Sequence, residues 1–494
     1  MSKADIKTAA SALLGLKKGG PNRSAFSSSA PPSEIAIAFS EEQERALHLK
    51  GDRILITALA GCGKSRVLAE MARRHPLKQW HYLAFNKSMA QEAKSLMPSN
   101  VICKTIHALA YQEFGKNYQS KVALQWNVFA LQDYLKDLNF DHPNDALLVV
   151  AVLERYFASS DRHLQSIHIP QQLWQDMKKE QQTTFADEVA LVHASFHVWN
   201  CMLDYSTDLP MMLDGLVKLM QLASYQPFSV KSALLVDEAQ DLTPCIRAWL
   251  ETLPVPIVRA GDPFQSIYSW RMHGFDTPWK TERDQEEWLC GSWRFGPEVA
   301  QLVSPVLKAL GSPHDLIGLG ASTKIDSHWP KDDFDYLFRT RSALVGSAIH
   351  QVEEGKGLNL DSSPWFKEFL QNAKLDALHA LDEDAEKWTN SVKLHRNLLL
   401  EGTKISSSVR VLTAHASKGA TYNHVRLGPD FGWPNPLREQ ADPVEEARLL
   451  YVALTRARLH LSLPEELFTA LNKKSLPIWG GPAIPLEVLN DDGF

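Results

Sequence analysis

One stretch constrains the fold of this chain more than any other: Ala58-Leu59-Ala60-Gly61-Cys62-Gly63-Lys64-Ser65. An apolar run, Ile54-Leu55-Ile56, precedes it, and a helical pattern from Val67 to Ala72 follows. Strand, Gly-rich turn and helix in that order form the setting of a phosphate-binding loop. Gly61 and Gly63 let backbone N–H groups close around phosphate oxygens, and the helix N-terminus adds the positive end of its dipole. Lys64 is expected to reach the β and γ phosphates and the Ser65 hydroxyl to ligate Mg²⁺. Cys62 and Arg66 belong to the same nucleotide-contacting turn. The bland alternative is a chance Gly-Lys-Ser turn. One departure stands out, since Ala58 occupies the position where the general pattern has Gly.

Downstream segments supply the rest of a hydrolytic site. Ala233-Leu234-Leu235-Val236-Asp237-Glu238 reads as a buried strand ending in two acids. Asp237 would hold the metal through water, and Glu238 would orient and deprotonate the attacking water. After Ile257-Val258-Arg259-Ala260-Gly261, Gln265 sits where a strand-end residue senses the γ phosphate. Gln43 lies shortly before the phosphate loop, and its amide can pair with both edges of adenine, although a surface Gln is the plainer reading.

A second set of residues points to nucleic acid. Tyr268, Trp270 and Arg271 offer two stacking faces and a cation after Gly-Asp-Pro, the ingredients for holding the bases of a single strand. Core packing is the ordinary fate of a Trp. Two further strand patterns end in Asn86-Lys87 and in Thr105-Ile106-His107. Strands alternating with helices imply a parallel sheet, whose ligands sit at the strand C-terminal ends. Composition allows this without announcing it. The net charge is -6, and a local basic groove matters more than the total. The five cysteines form no CxxC pair, which argues against zinc and iron–sulfur sites. No apolar run has membrane-spanning length, so no membrane partner is expected.

In this order the motifs resemble those of UvrD/Rep-type superfamily 1 DNA helicases, over about residues 39–470. In that family the phosphate loop begins with Ala. The resemblance is strongest to the F-box DNA helicase branch, through Tyr82-Leu83-Ala84-Phe85-Asn86-Lys87-Ser88, Lys104-Thr105-Ile106-His107-Ala108-Leu109-Ala110-Tyr111 and Ser292-Trp293-Arg294-Phe295-Gly296. It implies that Trp293 stacks on adenine and Arg294 contacts the γ phosphate, tasks that suit an indole face and a fixed guanidinium. Thr413, His415 and Lys418, in Val411-Leu412-Thr413-Ala414-His415-Ala416-Ser417-Lys418-Gly419, match the motif that grips DNA phosphates and couples them to ATP. The family continues with Leu-Glu, where this chain has Ala420-Thr421, which removes a contact near the ribose. Arg456, in the Leu449-Leu450-Tyr451-Val452-Ala453-Leu454-Thr455-Arg456 motif, matches the arginine finger.

The resemblance implies two RecA-like P-loop domains of α/β class. The expected layout is a flexible tail at 1–38, a first RecA-like domain from 39–111 and 225–285, and a helical insertion at 112–224. The second domain would combine 286–344 and 405–475 around a reduced accessory insertion at 345–404, with a C-terminal tail at 476–494. No F-box is expected in the first 38 residues, nor a nuclease domain after the last motif. Cys62, inside the loop at a helix N-terminus, reads first as a small residue that fits; the alternative is a thiol of lowered pKa whose oxidation blocks ATP. ATP and Mg²⁺ are the implied cofactors. Single-stranded DNA and tailed or forked duplex are the implied partners, travelled 3′ to 5′. The tails leave room for a single-strand-binding, recombinase or effector protein. Rival readings are an anti-recombinase that strips protein from DNA and a nucleic-acid-sensing ATPase subunit of a larger complex. Localisation would follow the host: cytoplasmic and nucleoid-associated in a prokaryote or phage, nuclear or organellar in a eukaryote.

Overall fold

The computed structural model describes residues 38–118, 121–268, 278–330, 333–361, 363–371, 385–405, 409–431 and 442–473, with the short pairs 475–476 and 484–485. The expectations for both tails and for Trp270 and Arg271 lie largely or wholly outside the described residues.

From Ser40 onward the chain builds two parallel sheets. The first has six strands: β1 (Arg53–Ala58), β2 (Gln79–Ala84), β3 (Val101–Thr105), β4 (Ser232–Val236), β5 (Ile257–Gly261) and β6 (Gln285–Leu289). They pair in the order β3-β2-β4-β5-β1-β6, each pairing parallel. A parallel sheet is covered on both faces, so its central strands read as unbroken apolar runs rather than alternating ones. Every residue of β1, β4 and β5 is buried. Arg259 is tolerated inside β5 because the Asp284 carboxylate pairs with it. The neighbours β4, β5 and β1 bring Asp237-Glu238, Asp262 and the phosphate loop side by side at their carboxyl ends, where such sheets bind ligands.

Four helices frame this sheet: α1 (Glu41–Leu47), α2 (Lys64–Arg74), α3 (Lys87–Leu96) and α4 (Ile106–Glu113). The route from α4 to β4 is mostly helical and includes α5 (Asp145–Ala158), α6 (Glu188–Leu203) and α7 (Leu213–Leu222). These helices share one apolar core with the sheet: Leu153, Trp199, Leu216 and Met220 belong to the same cluster as Leu234 and Trp249.

The second sheet comprises β7 (Lys324–Asp326), β8 (Asp335–Phe338), β9 (Arg410–Thr413), β10 (Tyr422–Leu427) and β11 (Ala457–Ser462), ordered β7-β11-β10-β8-β9 and again parallel. Its helices include α8 (Arg341–Glu353), α9 (Ala385–Gly402) and α10 (Pro443–Leu454). Two parallel α/β lobes are the RecA-like arrangement.

Two expected boundaries move. Gln285–Leu289 pairs with β1, so the first lobe runs past residue 285 and the crossing to the second begins after Leu289. The described part of 345–404 is also not separate from the second sheet. Leu344, Val345, Phe366 and Leu399 share one core with Tyr336, Phe338 and Val411. Among the described residues, no helix is long and apolar enough to cross a membrane.

Candidate active site

The phosphate loop is held by its backbone from three directions. Ala60 N–H donates to the Tyr451 hydroxyl at 2.8 Å, Gly61 O accepts from Trp293 N–H at 3.0 Å, and Cys62 O accepts from Gln43 Nε2 at 2.9 Å. Gly61 and Gly63 adopt φ of 77° and 81°, the left-handed region that favours glycine. Gly63 is also the N-cap of α2, so Lys64 and Ser65 fall in its first turn, where N–H groups lack helical partners. Arg66 follows in that turn.

Gln43 is buried at 1% exposure, and its amide oxygen accepts Ser40 N–H at 3.1 Å in the capping box that starts α1. The group that the sequence assigns to adenine therefore braces the loop in this conformation. Cys62 sits as a small enclosed residue that fits the loop. Its thiol is enclosed, and burial, reinforced by Cys290, Asp262 and Glu42, pushes its pKa well above the ordinary value. Loss of solvation outweighs the helix dipole, so the thiol is not activated.

The acidic strand end lies against the loop. Lys64 Nζ is 2.7 Å from Glu238 Oε1 and 3.2 Å from Asp237 Oδ1. Burial works against the Lys64 ammonium, yet the two carboxylates more than offset it and raise its pKa. Glu238 is likewise opposed by burial, but Lys64 and Lys418 draw it down to about 2. Ser65 Oγ donates to Asp237 Oδ2 at 3.3 Å, and the Tyr82 hydroxyl donates to the same oxygen at 2.6 Å. Glu238 sits at φ 51°, ψ 44°, a backbone placement costing roughly 1–3 kcal/mol that concentrates at functional sites. A hydroxyl beside a carboxylate is a hard-oxygen donor set, and the adjoining acids already accommodate a cationic group, so these residues fit Mg²⁺ bound with a nucleotide.

The second lobe closes the site. A cleft of about 390 Å³ is lined by Ala58, Leu59, residues 61–65 of the loop, Glu238, Gln265, Trp293, Arg294 and Arg456. Gly419, Thr421 and Arg458 complete its wall. Arg294 donates to Thr455 O at 2.9 Å, and Arg456 to Gln265 Oε1 at 3.1 Å. Burial and the neighbouring Arg456 lower Arg294 to about 9.

The residues expected to touch DNA divide into three groups. Asn86 and Thr105 cap α3 and α4 with their side chains, and His107 pairs with Asp214 at 2.8 Å. Lys87 is exposed in the first turn of α3. Tyr268 stacks on Phe85 at 5.7 Å between ring centroids, and its hydroxyl donates to His415 O at 3.3 Å. Thr413 Oγ1 accepts from Ala416 N–H at 3.3 Å. Lys418 turns inward. Its ammonium donates to both Asp241 oxygens, at 2.7 and 2.6 Å, and to Gln265 O at 2.6 Å, while lying 4.9 Å from the Tyr268 ring centroid. The sequence reading missed Tyr82, Phe85, Asp241, Asp262 and Tyr451 as parts of the site. Tyr82, Phe85 and Tyr451 lie inside the motifs that carry the family resemblance, which gave a signal for the segment but not for the residue.

Comparison with known proteins decides the family. The UvrD/REP helicase N-terminal domain matches residues 39–284, and the UvrD-like helicase C-terminal domain matches residues 364–465. The chain belongs to the UvrD/Rep-type superfamily 1 helicases. Within this family it stands near the F-box DNA helicase branch. It is 31% identical to F-box DNA helicase 1 of Gallus gallus over 55% of this chain and 28% of that protein. To F-box DNA helicase protein 1 of Schizosaccharomyces pombe it is 26% identical over 84% of this chain and 55% of that one. The chain thus spans about half or less of the length of these relatives. A solved structure, "The structure of PRRSV helicase", overlays with a TM-score of 0.33 at 10% identity, covering 87% of this chain and 55% of that one. Membership of this family implies use of ATP.

Proposed function

We propose that the chain is an ATP-dependent single-stranded DNA translocase and helicase that moves 3′ to 5′ and serves DNA repair, recombination or replication. The observation that carries this reading is the single cleft shared by Lys64, Ser65 and Glu238 of one lobe and Arg294 and Arg456 of the other. The polarity and the DNA substrate rest on the family resemblance, and the named DNA helicases it resembles support the DNA substrate alone.

In this reading the loop N–H groups and the start of α2 cradle the phosphates, and Lys64 neutralises the β and γ oxygens. Ser65 and Asp237 would hold Mg²⁺, and the ion would supply positive charge against the phosphates. Glu238, ionised far below neutral pH, orients the attacking water by accepting its hydrogen bond and takes the proton as charge passes to phosphate. Arg294 and Arg456 come from the other lobe, so hydrolysis depends on the distance between lobes. Changing that distance would shift the grips on DNA around Phe85, Tyr268 and His415.

ATP hydrolysis measured with and without single-stranded DNA tests this, with Lys64→Ala as the blank. Strong stimulation, lost in the variant, is expected; turnover indifferent to DNA would sink the translocase reading. Duplexes with a 3′ or a 5′ tail then read polarity, and unwinding from the 5′ tail alone would reverse the direction proposed.

A further inference from the structure

The helix that leads into Arg456 also holds the phosphate loop. Tyr451 lies on α10, and its hydroxyl accepts Ala60 N–H at 2.8 Å while donating to Asp262 Oδ2 at 2.7 Å. The same carboxyl oxygen accepts Gln265 Nε2 at 2.8 Å, and Gln265 Oε1 accepts Arg456 at 3.1 Å. One unbroken chain of hydrogen bonds therefore runs from the phosphate loop through Tyr451, Asp262 and Gln265 to the arginine. All of it is buried: Tyr451 is 0% exposed, Asp262 1%, Gln265 8% and Arg456 1%.

Local geometry makes the chain stiff. Thr455 N–H donates to Tyr451 O at 3.2 Å, and Arg456 Nε donates to Val452 O at 2.8 Å. The hydroxyl and the guanidinium are thus fixed to the same helix end, about one turn apart. Packing alone does not ask for the hydroxyl, because the ring of phenylalanine would fill the same space. What the oxygen adds is one donated and one accepted bond, which ties two elements of the first lobe to one helix of the second. Burial raises the Tyr451 pKa well above its ordinary value, so the proton stays in place at working pH. Ala60 N–H meanwhile points at Tyr451, so the loop takes part of its position from the opposite lobe.

We propose that Tyr451, acting through Asp262, is the positioning residue that sets the separation of the phosphate loop from Gln265 and Arg456. The proposal rests on reading the cleft as an ATPase site. A purely architectural tyrosine would affect melting temperature and leave turnover intact. A positioning tyrosine affects the step in which the arginine must meet developing charge, and so shows in kcat more than in KM.

The test uses the full chain with Tyr451→Phe, Asp262→Asn and the double variant, assayed for ATP hydrolysis at saturating single-stranded DNA. Each single change is expected to lower kcat about tenfold with KM within about threefold, and melting temperature should fall by only a few degrees. The double variant should lose clearly less than the product of the two single losses, because both changes break the Tyr451–Asp262 bond, although each also breaks a bond of its own. A Tyr451→Phe protein with kcat within about twofold of the parent overturns the proposal, as do losses that multiply in the double variant. Should Asp262→Asn fail to fold, the conservative Tyr451→Phe still decides. Failure of the parent chain to hydrolyse ATP would bring down the reading of the cleft, and this proposal with it. An active parent beside an unimpaired Tyr451→Phe brings down this proposal alone.

Discussion

At Gly61 two independent demands fall on one residue. Its φ of 77° suits glycine, and a Cβ there would collide with Ser292 Oγ and stand 2.7 Å from Arg294 Cβ. Gly61→Ala should therefore strain the loop and push apart the segment carrying Trp293 and Arg294. The strain of a non-glycine residue at such φ is on the order of 1–3 kcal/mol, and the collision adds to it. We expect nucleotide affinity, read by titration with a fluorescent ATP analogue, to fall more than about tenfold while the fold survives. Affinity within twofold of the parent would mean that the loop is looser than its contacts indicate. Spacing made Gly61, Lys64, Ser65 and the Asp237-Glu238 pair legible, because local backbone shape dictates those residue types. Tyr451 and Asp262 were not legible. Ala60 and Tyr451 are 391 positions apart, and only the assembled cleft brings them together.

Elements were readable where burial leaves an apolar run and hidden where polar side chains find partners. β4 and β5 announce themselves as Ala-Leu-Leu-Val and Ile-Val. β6 reads Gln-Glu-Glu-Trp-Leu and looks like a loop. It is an edge strand whose carboxylates are used: Glu286 accepts from Thr57 Oγ1 at 2.6 Å and Glu287 from Arg45 at 2.9 Å. The 345–404 segment misled in the opposite way. It was expected as a reduced accessory insertion, yet α9 presents Leu399, 0% exposed, to the core that includes Tyr336 and Val411. Leu399→Ala should cost about 2–5 kcal/mol, as large-to-small changes in packed cores do. Urea denaturation followed by circular dichroism would register it, and removing 345–404 outright should unfold the second lobe. A loss below about 0.5 kcal/mol for Leu399→Ala, as expected of a surface site, would restore the accessory reading.

Across the whole molecule, the nucleotide cleft and the aromatic cluster meet at Lys418. This second-lobe ammonium grips Asp241 and the Gln265 carbonyl on the first lobe while lying beside the Tyr268 ring. Gln265 faces the cleft, and Tyr268 stacks on Phe85 and bonds His415, so one cation touches both regions. Coupling between two ligands is reciprocal: the factor by which DNA tightens nucleotide binding equals that by which nucleotide tightens DNA binding. If Lys418 carries the coupling, Lys418→Met should shrink both factors together toward one, rather than simply weaken DNA as loss of a phosphate contact would. Removing one partner of a buried pair strands the other, at about 3–5 kcal/mol, so the clean comparison adds Asp241→Asn. In the Lys418→Met/Asp241→Asn protein, folding should recover while both factors stay near one, measured by fluorescence anisotropy of labelled single strands with and without a non-hydrolysable ATP analogue. Coupling retained at the parent's value, with DNA affinity alone reduced, would return Lys418 to the DNA-contacting set and leave the lobes to communicate through Tyr451.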